Sequence, residues 1–66
     1  MVLRKSDQKF IEDNSKEIME KMKEYRGITG KGWHPFNYEL GYANMKEWYE
    51  ALLTEIKALK NNTLVT

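Results

Sequence analysis

The feature that most constrains this chain is a set of apolar residues near its C-terminus that recur at helical spacing. When successive residues are placed about 100° apart, these apolar residues fall within an arc of about 140°. They are Met45, Trp48, Tyr49, Leu52, Leu53, Ile56 and Leu59. No segment alternates apolar and polar residues in the manner of a half-buried strand. The chain is therefore predicted to be all-α, with a long amphipathic helix over residues 45–60.

A long first helix is predicted over residues 6–26. Ser6 is a suitable N-cap, and Gly27 suits the left-handed residue that follows a helix. Apolar side chains recur at helical spacing between them: Ile11, Ile18, Met22 and Tyr25. Asn14 and Glu17 form a second capping pair, which leaves open a break in the helix at that point.

A short helix over residues 35–40 is predicted to separate the two long ones. Pro35 suits the first position of a helix, because its missing N–H would be unpaired there. Gly41 is expected to end this element within two turns. Asn44 then caps the final helix, with Glu47 three residues later in the capping-box position. The prediction is thus a three-helix domain, long, short and long.

The length of the chain allows one domain, residues 1–66, with a thin core. The sequence contains no cysteine, so no disulfide or thiolate zinc site can reinforce that core. The apolar face of the final helix is broader than the two other elements are expected to cover. An uncovered face of this kind favours self-association. We therefore predict an intertwined homodimer whose shared core contains the seven apolar residues of the final helix.

The glycine-rich stretch "YRGITGKGWHPF", residues 25–36, raises the question of a phosphate site. It is not a P-loop: the spacing from Gly27 to Gly30 is too short, Gly32 replaces the hydroxyl residue, and a helix precedes it. Two interpretations are left open. The stretch is a helix stop and connector, or it contacts nucleic-acid phosphates through cations that have no acid beside them.

Other candidate chemistry is limited. His34 is the only histidine, and no nucleophile in a recognisable setting accompanies it, so it is expected to make a helix cap or a backbone contact. The carboxylates alternate with lysines along the helices, as on a solvated face. We predict no enzyme, no metal site and no cofactor. The opening "MVLRKSDQ" lacks the hydrophobic stretch of a signal peptide, and no apolar run approaches the length of a membrane span.

The segment "ELGYANMKEWYEALLTEIK" resembles the second half of a homeodomain. In that family a short helix ends at a leucine–glycine corner, and the recognition helix opens with a basic residue, a spacer, tryptophan and an aromatic, as in Lys46, Trp48 and Tyr49. The family's base-reading asparagine is Ala51 here, and Leu52 and Leu53 replace the following basic pair. Base reading in the major groove needs Asn, Gln or Arg. Sequence-specific recognition is therefore not expected.

The chain as a whole resembles the soluble C-terminal domains of the membrane-anchored DNA replication organisers of phi29-like Bacillus phages. This resemblance implies a homeodomain-like, dimeric helical domain in a phage early protein that takes part in viral DNA replication. It further implies binding of single- and double-stranded DNA, assembly of dimers into multimers, and contact with the phage terminal protein. The full-length protein would lie at the cytoplasmic face of the host membrane through an N-terminal anchor absent from this soluble chain.

The predicted function is binding of nucleic-acid backbone, without reading sequence, by a dimer that forms multimers. The expected nucleic-acid contacts are Arg26, Lys31, Trp33, His34, Lys57, Lys60 and Asn61, with Arg4 and Lys5 as further cations. Trp33 either stacks on an exposed base or is buried and closes the core. Net charge is only +1, so several copies on one strand would be needed for useful affinity.

The alternative function is a protein–protein interaction or oligomerisation module that does not contact DNA. Its surface would be the charged face of the first helix. That face carries the acids Asp7, Glu12, Asp13, Glu17, Glu20 and Glu24 and the bases Lys9, Lys16, Lys21, Lys23 and Arg26.

Overall fold

The computed structural model describes residues 2–65, with side chains described over residues 2–61. It consists of two α-helices, α1 (Lys5–Thr29) and α2 (Met45–Val65), joined by a connector over residues 30–44. The connector contains a single 3₁₀ turn, Tyr38–Leu40, and the described part of the chain has no strand. The all-α prediction is confirmed. The three-helix layout is not found.

The start of α1 differs from the prediction. Arg4, not Ser6, is the N-cap, and its carbonyl accepts hydrogen bonds from the N–H groups of Asp7 and Gln8, both at 3.0 Å. The Arg4 side chain does not cap this end, because a guanidinium has no acceptor, and the Asp7 carboxylate is directed at α2. The helix continues without a break past Asn14, whose side-chain amide donates to the Phe10 carbonyl at 3.0 Å.

The predicted stop of α1 at Gly27 is wrong. The helix continues to Thr29, and Gly30 adopts the left-handed conformation, with φ of 76°. The Gly30 N–H donates to the Arg26 carbonyl at 2.8 Å. Both glycines can end a helix, and the later stop is the one that brings Trp33 back against Tyr25, with 5.1 Å between ring centroids.

The predicted helix over residues 35–40 is also wrong. Pro35 and Phe36 lie outside any helix, and only the turn Tyr38–Leu40 is helical. The Asn37 side chain accepts from the Glu39 N–H at 3.0 Å, and Gly41, with φ of 96°, ends the turn as predicted. Because Phe36 is in this non-helical stretch, its side chain enters the core, where it is buried.

The start of α2 is as predicted. The Asn44 side chain accepts from the Glu47 N–H at 2.9 Å, and the Glu47 carboxylate accepts from the Ala43 N–H at 2.6 Å. These two bonds form a capping box that satisfies two N–H groups at the helix start. The end of α2 was predicted too early, since the helix runs to Val65 and not to residue 60.

The two helices run in the same direction. Asp7, near the start of α1, bonds Met45 at the start of α2, and Glu24, near the end of α1, forms an ion pair with Lys60. Antiparallel neighbours can be joined by a short loop, but parallel ones cannot. The connector therefore has to return along the length of the pair, and it packs against both helices on the way.

The core lies between the two helices and the connector. Leu52 is its fully buried centre, with no exposed surface. The other buried apolar residues are Ile18, Phe36, Met45, Trp48, Tyr49 and Ile56. Five of the seven residues predicted to form a dimer core are thus buried within one chain, while Leu53 and Leu59 are partly buried. The connector covers the face that the sequence analysis had left for a second subunit.

Candidate nucleic-acid interface

Two cations lie at the C-terminal corner of α1. Arg26 occupies the last turn, and Lys31 follows the glycine that ends the helix. The Lys31 backbone is fixed by its N–H, which donates to the Thr29 hydroxyl at 3.1 Å. Both side chains are exposed, and neither forms a hydrogen bond or ion pair with another described residue. We call Arg26 and Lys31 the basic corner.

The carboxylate closest in sequence to Arg26 is directed elsewhere. Glu24 forms ion pairs with Lys60 and with Lys21, the latter at 3.3 Å. The hydrogen bond from Lys60 is the main cause that lowers the pKa of Glu24, so this carboxyl is charged at neutral pH. Two helical steps separate Glu24 from Arg26, and at about 100° a step they point to different sides of α1.

Trp33 packs against α1 beside the basic corner. Its ring meets the Tyr25 ring edge-on, at an interplanar angle of 75°, and the residue is partly buried. Its indole N–H is enclosed and has no hydrogen-bond acceptor among the described residues. Of the two alternatives left open by the sequence, the packing of Trp33 agrees with closure of the connector onto α1, and stacking on a base stays a prediction.

His34 is exposed and makes three contacts, two through its ring and one through its backbone carbonyl. Its ring lies 4.3 Å from the Trp33 ring, its Nε2 lies 2.9 Å from the Tyr42 hydroxyl, and its carbonyl accepts from the Trp48 indole N–H at 3.0 Å. The imidazole of His34 was expected to cap a helix or to contact backbone, but its hydrogen bond is to a side chain, that of Tyr42. Tyr25 and Tyr42 were absent from the predicted site. Tyr25 opens the glycine-rich stretch, but Tyr42 lies six residues beyond its end, and nothing in the sequence linked Tyr42 to the stretch.

Four of the predicted nucleic-acid contacts lie at this end of α1: Trp33, which carries His34 on its ring, packs beside Arg26 through Tyr25, and Lys31 follows the helix stop. Among the described residues, no hydrogen bond or ion pair links these four to Lys57, Lys60 or Asn61. All three are exposed on α2, and Lys60 is paired with Glu24 on the side of α1 that faces α2. The connector packs against a different side of α1, through the contact of Trp33 with Tyr25.

Arg4 and Lys5 lie at the opposite end of α1 from the basic corner. Lys5 is exposed. The Arg4 guanidinium bonds the Ala43 carbonyl and lies 4.6 Å from the centre of the Tyr38 ring. Arg4 therefore holds the connector in place, through a contact that its position in the sequence did not indicate.

Asp7 organises that end of the molecule. It is 3% exposed, and its two oxygens accept from the Met45 N–H at 3.0 Å and from the Tyr38 hydroxyl. The hydrogen bond from Tyr38, followed by that from Met45, lowers the pKa of the Asp7 carboxyl. The sequence analysis placed Asp7 on a charged outer face. The structure makes it a buried link between α1, the connector and α2.

Tyr49 of α2 is buried where this helix packs against α1. Burial, with Glu17 as the next cause, raises the pKa of the Tyr49 hydroxyl. Its ring packs edge-on against Phe10 of α1, with 5.9 Å between centroids. Tyr49 belongs to the interior of the helix pair, with Glu17 close to its hydroxyl.

No three His, Asp or Glu side chains among the described residues are grouped to hold a metal ion. Neither described helix combines the length and apolar character needed to cross a membrane. Comparison with protein-family models, with curated proteins and with solved structures found no match.

Proposed function

We propose that this domain binds the phosphate backbone of single- and double-stranded DNA without reading its sequence. The observation that carries the proposal is the basic corner: Arg26 and Lys31 are exposed and have no carboxylate of the described residues bound to them, and the exposed His34 follows Lys31 by three positions. Cations of this kind attract phosphates and release the counterions condensed on DNA. A partly exposed Trp33 adds an aromatic surface for an unpaired base.

The burial of α2 supports binding that is not sequence-specific. In a homeodomain-like arrangement this helix would enter the major groove and read bases at the positions of Ala51, Leu52 and Leu53. Leu52 has no exposed surface, and neither Ala51 nor Leu53 carries a hydrogen-bonding group. Direct readout needs polar side chains that reach base edges.

Two cations supply little affinity, so the proposal includes a homodimer that assembles further on DNA. The resemblance to the replication organisers of phi29-like phages supports placing this activity in membrane-associated phage DNA replication. On that proposal the full-length protein lies at the host membrane and contacts the terminal protein.

The proposal is tested by fluorescence anisotropy with a labelled single strand and a labelled duplex over a salt series. The test variant is Arg26→Ala/Lys31→Ala. The matched control is Lys9→Ala/Lys16→Ala, which removes the same charge from exposed positions of α1. We expect the test variant to weaken binding to both DNA forms. We also expect it to reduce the slope of log affinity against log salt by about 2, as two phosphate contacts are lost.

Two results would overturn the proposal. One is no binding of wild-type protein to either DNA form at low salt, which would favour the protein-interaction alternative. The other is an equal loss of DNA affinity in the test and control variants. That result would show that only the net charge of the protein matters, and not the position of Arg26 and Lys31.

A further inference from the structure

We propose that His34 and Tyr42 together form a stacking surface for one unpaired nucleobase, so that the domain holds a single strand by a base as well as by its phosphates. We call these two side-chain rings the ring pair. The inference rests on the proposed function, which it deepens by moving the base contact from Trp33 to the ring pair. It adds a preference for single-stranded over double-stranded DNA.

The two rings of the pair lie side by side with nearly parallel planes. Their planes differ by 12°, and 2.9 Å separates the His34 Nε2 from the Tyr42 hydroxyl oxygen. Each of these atoms lies in the plane of its own ring, whereas rings stacked face to face would be about 3.5 Å apart. A hydrogen bond of this length therefore joins the rings edge to edge, and their centroids are 5.9 Å apart. The pair forms one nearly flat surface that is two rings wide.

The ring pair is supported by other aromatic side chains. The Trp33 ring lies against that of His34, with 4.3 Å between centroids and 35° between planes, and Trp33 also packs on Tyr25. The Phe36 ring lies 6.4 Å from that of Tyr42, at 30°, and Phe36 is buried. Rings that are already held in place lose little side-chain freedom when a ligand binds, so less of the binding free energy is lost to ordering.

The free part of this surface belongs mainly to His34. His34 is exposed, and Tyr42 is partly exposed. Trp33 covers one face of the imidazole, so the exposed area of His34 lies on its other face and outer edge. The Trp33 ring, by contrast, already contacts the rings of His34 and Tyr25, and its indole N–H is enclosed. Trp33 therefore supports the stacking surface, and the ring pair presents it.

The charges beside His34 favour a nucleotide as the occupant. Residues 25–38 contain no Asp or Glu, and the cations Arg26 and Lys31 lie in this stretch. Lys31 precedes His34 by three positions, so their backbones are at most about 11 Å apart, close to the Debye length at moderate salt. A phosphate at Lys31 and its base on the ring pair would use both features. A peptide that stacked only an apolar side chain here would make no use of the cations.

The charge at the other end of the ring pair sets the orientation of the nucleotide. Glu47 is the acid that contacts this part of the connector, where its carboxylate accepts a hydrogen bond from the Ala43 N–H, next to Tyr42. A phosphate is repelled by this carboxylate and attracted by Lys31. The phosphate therefore lies on the Lys31 side of the stacked base.

A paired base cannot use this surface. In a duplex both faces of each base are covered by neighbouring bases, whereas a base of a single strand can turn outward and stack on an aromatic side chain. The basic corner meets the phosphates of both DNA forms, so the ring pair adds affinity for the single strand alone. Stacking of one base on an aromatic side chain corresponds to a factor of about five or more in affinity.

The test compares three labelled ligands by fluorescence anisotropy: oligothymidine, an abasic strand of the same length, and a duplex. The abasic strand has the same phosphates and no bases. We expect wild type to bind oligothymidine at least about fivefold more tightly than the abasic strand. We expect His34→Ala to remove this difference and to leave binding of the abasic strand and of the duplex within about twofold of wild type.

Two conservative variants separate the flat ring from its other properties. His34→Phe keeps a flat ring without the nitrogen atoms, and we expect it to bind oligothymidine within about twofold of wild type. Tyr42→Phe keeps both rings but removes the hydrogen bond that holds them side by side. It should weaken binding of oligothymidine by a smaller factor than His34→Ala does. Circular dichroism checks that each variant folds.

Three results would overturn the ring pair as a base site. They are equal affinity of wild type for oligothymidine and the abasic strand, an equal loss of affinity for both strands in His34→Ala, or a loss in His34→Phe as large as that in His34→Ala. The first comparison needs no variant, so it decides even where a variant does not fold. Equal affinity for the two strands leaves backbone binding, the proposed function, standing. No binding of wild type to any of the three ligands overturns the proposed function, and this inference with it.

Discussion

The carboxylate of Asp7, in the first turn of α1, accepts a hydrogen bond from the backbone N–H of Met45, the first residue of α2, at 3.0 Å. One acidic side chain of one helix therefore satisfies a donor at the start of another helix 38 residues later. The same carboxylate accepts a hydrogen bond from the Tyr38 hydroxyl of the connector. All three elements of the fold meet at this residue.

Removal of this carboxylate is expected to destabilise the protein. In Asp7→Ala the Met45 N–H and the Tyr38 hydroxyl lose their acceptor in a buried place, which costs about 1–3 kcal/mol in the free energy of unfolding. Asp13→Ala is the matched control, because Asp13 is exposed on the same helix, and its effect is expected within about 0.5 kcal/mol. Urea unfolding followed by circular dichroism measures both. Equal effects of the two changes would contradict the role given to Asp7.

The contribution of Asp7 is expected to disappear in acid. Its pKa is lowered in the folded protein, so the folded state favours the charged carboxylate more than the unfolded chain does. That contribution is fully present above the unfolded pKa of about 3.9 and is lost as pH falls through the folded pKa. The difference in stability between wild type and Asp7→Ala should therefore be constant near neutral pH and narrow in acid. A difference that widens in acid would contradict the assignment.

Tyr38→Phe isolates the main cause of that shift. The hydroxyl of Tyr38 is the largest of the influences that lower the pKa of Asp7, and the phenyl ring keeps the packing. We expect the pKa of Asp7, measured by NMR titration of its side-chain carboxyl, to rise toward its ordinary value in this variant. The matched change Tyr42→Phe removes a hydroxyl that bonds His34 and should leave the pKa of Asp7 unchanged.

The two tryptophans should respond differently to the same substitution. The Trp48 indole N–H bonds the His34 carbonyl, whereas the enclosed N–H of Trp33 has no acceptor among the described residues. Trp48→Phe removes the hydrogen bond between the indole N–H and the His34 carbonyl, and it leaves that carbonyl without this partner. Trp33→Phe removes an N–H group that is buried without a hydrogen bond, which is an unfavourable state. We expect Trp48→Phe to lower the free energy of unfolding by at least about 1 kcal/mol more than Trp33→Phe. A larger loss for Trp33→Phe in urea unfolding would contradict this reading.

Replacing either of two glycines at the end of α1 by alanine is expected to change the stability of the protein, in opposite directions. Gly27 lies inside the helix with open space where a Cβ would stand, so Gly27→Ala should stabilise the protein by about 0.5–1 kcal/mol. Gly30 has φ of 76°, so Gly30→Ala should destabilise it by about 1–2 kcal/mol, although no neighbour blocks the new methyl group. Thermal unfolding of the two variants decides between Gly30 and Gly27 as the helix stop. Stabilisation by Gly30→Ala would contradict the structure.

The features that could be predicted from the sequence are those set by residues a few positions apart. Helical periodicity identified both long helices, and the Asn44–Glu47 pair located the start of α2 to the residue. The end of the short element at Gly41 was likewise predicted from its local setting. In each case the interaction that forms the structure lies within one or two turns of chain, so the sequence displays it directly.

The candidate site was predictable only in part, because some of its contacts join residues that are far apart in the sequence. The absence of acids beside Arg26 and Lys31 is visible in the sequence, and the structure keeps these residues together. Lys60 looked equivalent to them until the fold brought Glu24 against it. A charged side chain shows in the sequence, but the residue that neutralises it can be far along the chain.

The sequence by itself determined that this chain is helical, where its apolar faces lie and which residues cap α2. Only the tertiary structure decided that the helices run parallel, that the connector covers the apolar face of α2, and that Asp7 is buried while Arg26 is free. Local patterns carry no record of direction in space, because a helix presents the same apolar face to a parallel or an antiparallel neighbour. The choice is made by contacts between residues distant in sequence, such as Asp7 with Met45.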